Sequence, residues 1–165
     1  MSPPIVIEIA GKPVGKGRGR VGVNKHTGRA VVFTPTSTRQ WEGWARKAAQ
    51  DAMAGRPPLD CPVAVTVRAF LAVPPSWPAW KREAALAGRV LPTTAPDKDN
   101  IEKACLDACN GVVYRDDCLV AQGGCIKRYS ERPRVVIEVL PIADAAPAQV
   151  KRQGELPAPL FASAV

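Results

Sequence analysis

Six carboxylates and three bases crowd into residues 97–117, a net −3 inside a 165-residue chain whose total charge is +8. The segment opens Pro96-Asp97-Lys98-Asp99-Asn100-Ile101-Glu102-Lys103 and closes Asn110-Gly111-Val112-Val113-Tyr114-Arg115-Asp116-Asp117. Carboxylate oxygens are ligands for a hard divalent cation, and a cation beside a phosphate neutralises the charge that hydrolysis builds up. Outside this island the chain carries +11, which suits a polyanion as partner. Asp97 and Asp99 stand two apart, so in an extended chain they point the same way, about 6–7 Å apart, toward one small ion. Asp99 with Glu102 three residues on also fits a helix capping box, which needs no chemistry. Capping covers neither Asp97 nor Asp116-Asp117, and it leaves Lys103 only a surface contact with Asp107.

These groups need a frame. A helix from Asn100 is signalled by Ile101, Cys105 and Ala108 on one face, with Lys103, Asp107 and Asn110 opposite and Gly111 as its stop. The chain then delivers Asp116-Asp117 ahead of a strand over Leu119–Tyr129, where Gly123-Gly124 predicts a bulge. Val135, Ile137 and Val139 predict a last strand. Upstream, Ile5, Ile7 and Ile9 alternate as one strand, and Val63, Val65, Val67 and Ala69 as another. Between them a helix starts at Thr36, Ser37 or Thr38 and runs to about Ala54, before Gly55. Its stripe is Trp41, Trp44, Ala45, Ala48, Ala49 and Ala52, and both tryptophans read as core rather than as base-stacking surfaces. Residues 18–33 predict a hairpin or a mobile loop. Pro74 to Pro78 leads into a short helix over 78–87, capped by Ser76 and closed by Gly88, that serves as a lid or a connector. Seven Ala and four Pro fall in residues 141–165, a tail expected to be disordered or loosely attached.

Composition narrows the classes. At 46% hydrophobic and 23% charged residues the chain is not wholly disordered. No apolar run approaches the ~18 residues of a membrane span, and the N-terminus lacks a charged segment followed by an apolar stretch. Five cysteines, an odd number without Cys-x-x-Cys, read as reduced thiols in a cytoplasm rather than a disulfide framework. The spacings of Cys105, Cys109, Cys118 and Cys125 are unlike a zinc ribbon. The glycines of Gly11–Arg20 do not form a P-loop, since no Gly-Lys-Ser/Thr opens a helix. That basic stretch is either solvated or a backbone clamp on phosphates. His26, in a basic loop, reads as a surface residue.

Taken together, Pro-Asp-x-Asp-Asn, a lysine four residues after the second Asp, Leu-Asp-Ala, Asn-Gly-Val-Val and a final Asp-Asp resemble the RusA family of Holliday junction resolvases. The resemblance is densest over residues 96–129 and extends more weakly to the N-terminal strand, Lys16–Arg20 and Phe33-Thr34-Pro35, about residues 4–140 in all. It departs at Gly19-Arg20, where many relatives carry Pro-Arg. The resemblance implies an α+β fold, one domain over residues 1–140 with a mixed β-sheet packed with helices. A Pro-rich insertion over residues 73–95 and the tail over residues 141–165 lie outside the resemblance. It implies a dimeric, Mg²⁺-dependent endodeoxyribonuclease of phages and prophages, with Mn²⁺ able to substitute, acting in DNA recombination and repair in a bacterial cytoplasm. By the same resemblance Asp97 and Asp99 are the paired carboxylates, Lys103 the catalytic lysine and Asp117 the third essential carboxylate. Asp116 is an adjoining metal candidate, and Asp107 matches a frequent acidic position. The partner implied is a four-way DNA junction, with no membrane. Lys12, Lys16, Arg18, Arg20, Lys127 and Arg128 are the candidate DNA contacts. Two other readings stay open, a metal nuclease preferring forks or flaps and a non-catalytic basic DNA-binding module.

Overall fold

The computed structural model describes residues 3–17, 20–23, 25–33 and 36–142, with the backbone alone at 20–22 and 31–33. Arg18, the side chain of Arg20, and the tail from residue 143 lie outside the described residues.

Alternation of β-branched residues builds the frame. Ile5, Ile7 and Ile9 turn inward along β1 (Ile5–Ala10), and Val63, Val65, Val67 and Ala69 along β4 (Val63–Ala72). The segment between holds an antiparallel hairpin, β2 (Arg20–Val23) with β3 (Ala30–Phe33), and then α1 (Thr36–Met53). After β4 come α2 (Ala79–Leu86), α3 (Lys98–Cys109), a single 3₁₀ turn at Asp117–Leu119, β5 (Val120–Ser130) and β6 (Arg134–Pro141). One sheet has the order β1-β6-β4-β5, with β6 antiparallel to both β1 and β4 and β5 parallel to β4. The arrangement is α+β, one mixed sheet of four strands packed with three helices. Parallel pairing demands a long crossover, and the β4–β5 crossover contains the whole acidic island.

The core lies between the sheet and two helices. Val63, Val65, Val67, Val135, Ile137 and Val139 meet Trp41, Ala45 and Ala49 of α1 and Ile101, Ala104, Cys105 and Cys109 of α3. Each buried Val or Ile contributes about 1.5–3 kcal/mol. All five cysteines are free thiols, and Cys105, Cys109 and Cys125 are buried. Among the described residues no helix is long and apolar enough to cross a membrane.

Four local expectations need correction. Trp44 is 63% exposed; the buried stripe of α1 runs Thr38, Trp41, Ala45, Ala49, Met53, narrow enough to leave Trp44 outside. Ser76 does not cap α2, whose N-cap is Pro78 with no side-chain cap bond, although Gly88 does close it at φ +75°. The bulge in β5 falls at Ala121, because Val63 pairs with Val120 and Ala64 with Gln122. Gly123 and Gly124 lie in regular register there, and Gly123 answers a different need: a Cβ on it would sit 1.8 Å from the Val65 carbonyl oxygen. Finally, α3 starts at Lys98 with Asp97 as N-cap, so Asp99 is inside the first turn and the Asp99–Glu102 capping box is not made.

Candidate active site

The start of α3 decides how its acids are displayed. Asp97 has extended backbone (φ −68°, ψ 147°), and its carbonyl accepts the first helical bond, from Ile101 N–H at 3.1 Å. Its carboxylate lies 3.5 Å from the Asn100 side-chain nitrogen. Asp99, Lys103 and Asp107 then recur every four residues, which puts them on one side of the helix. The opposite side, Ile101, Ala104, Cys105 and Ala108, is buried. The extended arrangement expected for Asp97-Lys98-Asp99 is therefore replaced by a helix start.

Asp117 comes back to this surface by a firmly held return. Gly111 turns the chain at φ +70°. Leu59 N–H bonds Val113 O and Arg115 N–H bonds Leu59 O, both at 2.9 Å. Tyr114 is fully buried and donates its hydroxyl to Leu106 O at 2.9 Å; burial pushes its phenol well above the ordinary value. Asp116 accepts the Cys118 N–H at 3.0 Å, which holds its carboxyl below the usual range and caps the 3₁₀ turn. Asp116 thus spends an oxygen on backbone, and Asp117 follows at the head of the turn.

The result is a hollow of about 360 Å³ walled by Asp99, Glu102, Lys103, Leu106, Asp107 and Asp117. Asp99, Lys103 and Asp117 are brought together there. Asp97 is not among its walls. Lys103 has no ion-pair partner within 4 Å among the described residues, and Asp107 is held by Lys16 at 2.7 Å rather than by Lys103. Sequence reasoning gave Glu102 only a capping role. Its place three residues after Asp99, one turn along the same helix, was the available signal.

Two of the candidate DNA contacts are engaged within the chain. Lys16 bridges Asp107 of α3 and Glu42 of α1 at 2.7 and 3.0 Å, and its hydrogen bond to Asp107 raises the ammonium above its ordinary value. Lys127 donates to the carbonyls of Thr94 (2.6 Å) and Pro96 (2.9 Å). Lys12 and Arg128 are exposed.

Oxygen donors of this kind suit Mg²⁺, which takes one or two carboxylates and completes its shell with waters and substrate phosphate. Among the described residues no three acids, thiols or imidazoles are grouped tightly enough to cage an ion by themselves.

Comparison with known proteins fixes the lineage. A family model described as Endodeoxyribonuclease RusA matches residues 10–140. The chain belongs to the RusA family. A Bacillus subtilis (strain 168) protein named only as uncharacterized protein YqaN is 31% identical over 139 residues, 82% of this chain and 94% of the relative. RusA membership implies an endodeoxyribonuclease of the junction-resolving kind that binds branched DNA. The matched span contains every residue of the hollow.

Proposed function

We propose that this protein resolves four-way DNA junctions by Mg²⁺-dependent phosphodiester hydrolysis, as a homodimer whose two sites cut opposed strands. The observation that carries the reading is the hollow in which Asp99, Lys103 and Asp117 meet across 18 residues of sequence. Asp99 and Asp117 would hold the cation there, with Asp97 at the N-cap of the same helix as the remaining carboxylate of the set. When bound, the cation supplies Lewis-acid stabilisation of phosphate charge and activates water.

The chain's own groups do the rest. Lys103, without a carboxylate partner among the described residues, offers its ammonium to the phosphate oxygens as charge accumulates on them. Leu106 lines the same hollow with apolar surface. The surplus base outside the island holds the DNA backbone, so affinity falls with salt.

The test is incubation with a synthetic four-way junction and Mg²⁺, alongside Asp99→Asn and Asp117→Asn and a linear duplex. Paired symmetric nicks in the junction are expected, with cleavage lowered about 10²-fold or more in each variant and binding retained. An inert wild type that still binds junctions would favour a basic DNA-binding module. Faster cutting of forks or flaps would move the substrate class.

A further inference from the structure

Cys125, Lys127 and Tyr129 share one face of β5. Cys125 is buried, and Tyr129 packs edge-on against Trp77 with ring centroids 5.3 Å apart. Lys127, half-buried between them, aims its ammonium at the carbonyls of Thr94 and Pro96 at 2.6 and 2.9 Å. Those carbonyls stand three residues and one residue before Asp97. Gly15 packs so closely on the same stretch that a Cβ there would lie 3.0 Å from Asn100 Cβ and 3.2 Å from Pro96 Cβ. Lys16 N–H adds a 2.8 Å bond to Asn100 O. The stretch that presents Asp97 and Asp99 is thus gripped between β5 and the chain after β1. Two of the three ammonium protons of Lys127 are committed to this grip.

We propose that Lys127 is a positioning residue: it fixes the backbone at 94–96 against β5 so that Asp97 and Asp99 are in place before cation and DNA arrive. It rests on the reading of Asp97 and Asp99 as cation-binding carboxylates. Adjacent acids repel, and a connection fastened only at its helical end opens under that repulsion. Partners that orient ligands from behind are worth about 10–100-fold in metal affinity. A lysine acting instead on DNA phosphate would govern affinity and its salt dependence.

Lys127→Met and Gly15→Ala separate these roles, measured beside wild type and Asp99→Asn. Gly15→Ala moves the same segment without touching the lysine. The readouts are Mn²⁺ affinity of the protein without DNA, junction affinity in chelator, single-turnover cleavage at saturating junction, and the melting temperature. Both variants are expected to lose about 10-fold or more in Mn²⁺ affinity. Cleavage slows in step and recovers as Mn²⁺ is raised, while junction affinity stays within about twofold. Lys127→Arg, which keeps donors for the two carbonyls, recovers part of the loss. Weaker junction binding with a shallower salt dependence, and unchanged Mn²⁺ affinity, overturns the proposal. So does a lower melting temperature with nothing else altered. If Lys127→Met does not fold, Gly15→Ala decides, and wild-type Mn²⁺ affinity there overturns it. Should Asp99→Asn itself leave Mn²⁺ affinity unchanged, the carboxylate reading falls and this proposal with it; a loss confined to Asp99→Asn sinks the proposal alone.

Discussion

The chain approaches α3 and leaves it by two connections that are fastened in different ways. The approach, residues 94–97, is held at the rim by polar contacts, the Lys127 ammonium on two carbonyls and the backbone of Gly15 and Lys16. The departure, residues 110–117, is held in the core by a fully buried Tyr114 and by Leu59 bonded to backbone on both sides of it. Net contributions differ accordingly: a hydrogen bond to a charged group gives about 1.5–3 kcal/mol, whereas emptying an aromatic site in a core costs about 3–5 kcal/mol. Placement of Asp117 is therefore tied to folding of the whole domain. Placement of Asp97, and of the first turn that carries Asp99, rests more on these rim contacts, although Ile101 anchors the other face of that turn in the core.

Tyr114→Ala probes that contrast hardest. It should cost about 3–5 kcal/mol in denaturant unfolding, and cleavage should fall only as the folded fraction falls. A cost below about 1 kcal/mol would mean the departure is not core-fastened. Tyr114→Phe keeps the ring and removes only the bond to Leu106 O, for a loss nearer about 1 kcal/mol.

The thiols under α3 give a second reading of the core side. Burial pushes Cys109 up to about 12 and Cys125 up to about 11, and Cys105 higher than either, from an ordinary 9.0. Because the folded state keeps these protons and the unfolded state releases them near 9, their contribution is complete below pH 9. It is lost as pH rises toward 11–12, by on the order of 1 kcal/mol per pH unit per thiol. Unfolding free energies at pH 8 and pH 10 should show the fall, and a flat profile would place water against the thiols. At pH 8 a thiol reagent should label exposed Cys118 at least tenfold faster than the three buried ones.

The same division explains what could be read from sequence. Strands β1, β4 and β6 were legible because one face of each is an unbroken apolar row, Ile and Val in β1 and β6 and Val63, Val65, Val67, Ala69 and Leu71 in β4. The apolar face of α3 was legible for the same reason. Its first residue was not, since Asp97 and Asp99 are equally good caps by type, and the choice is made by tertiary contacts on the approach. Asp99 and Lys103 fall four apart, so their meeting follows from helix geometry alone. Their meeting with Asp117 needs the Leu59–Tyr114 bridge, and no local signal encodes that. Lys16 and Lys127 stand among the candidate DNA contacts, and sequence alone did not show that Glu42 and Asp107 engage the first and the Thr94 and Pro96 carbonyls the second. Gly123 carried the right signal, special backbone, attached to the wrong cause: the requirement is room for Val65, and the bulge lies two residues earlier.

Lys16→Met gives the smallest expected effect and sharpens the approach side of the comparison. The ammonium stands between Glu42 and Asp107, with side chains 34%, 26% and 35% exposed respectively. Partial exposure screens such a bridge, so its removal should cost no more than about 1 kcal/mol despite leaving two carboxylates facing each other. Raising salt should erase much of the difference between wild type and variant in thermal melting. The backbone N–H of residue 16 remains bonded to Asn100 O whatever the side chain, so Mn²⁺ affinity should hold within about twofold, unlike the loss expected for Lys127→Met. A Lys16→Met loss in Mn²⁺ affinity as large as that of Lys127→Met would mean that the grip on the approach is electrostatic. The distinction is physical: Lys127 pairs with no carboxylate among the described residues and works through two carbonyl oxygens, whereas Lys16 works through charge on a neighbouring surface.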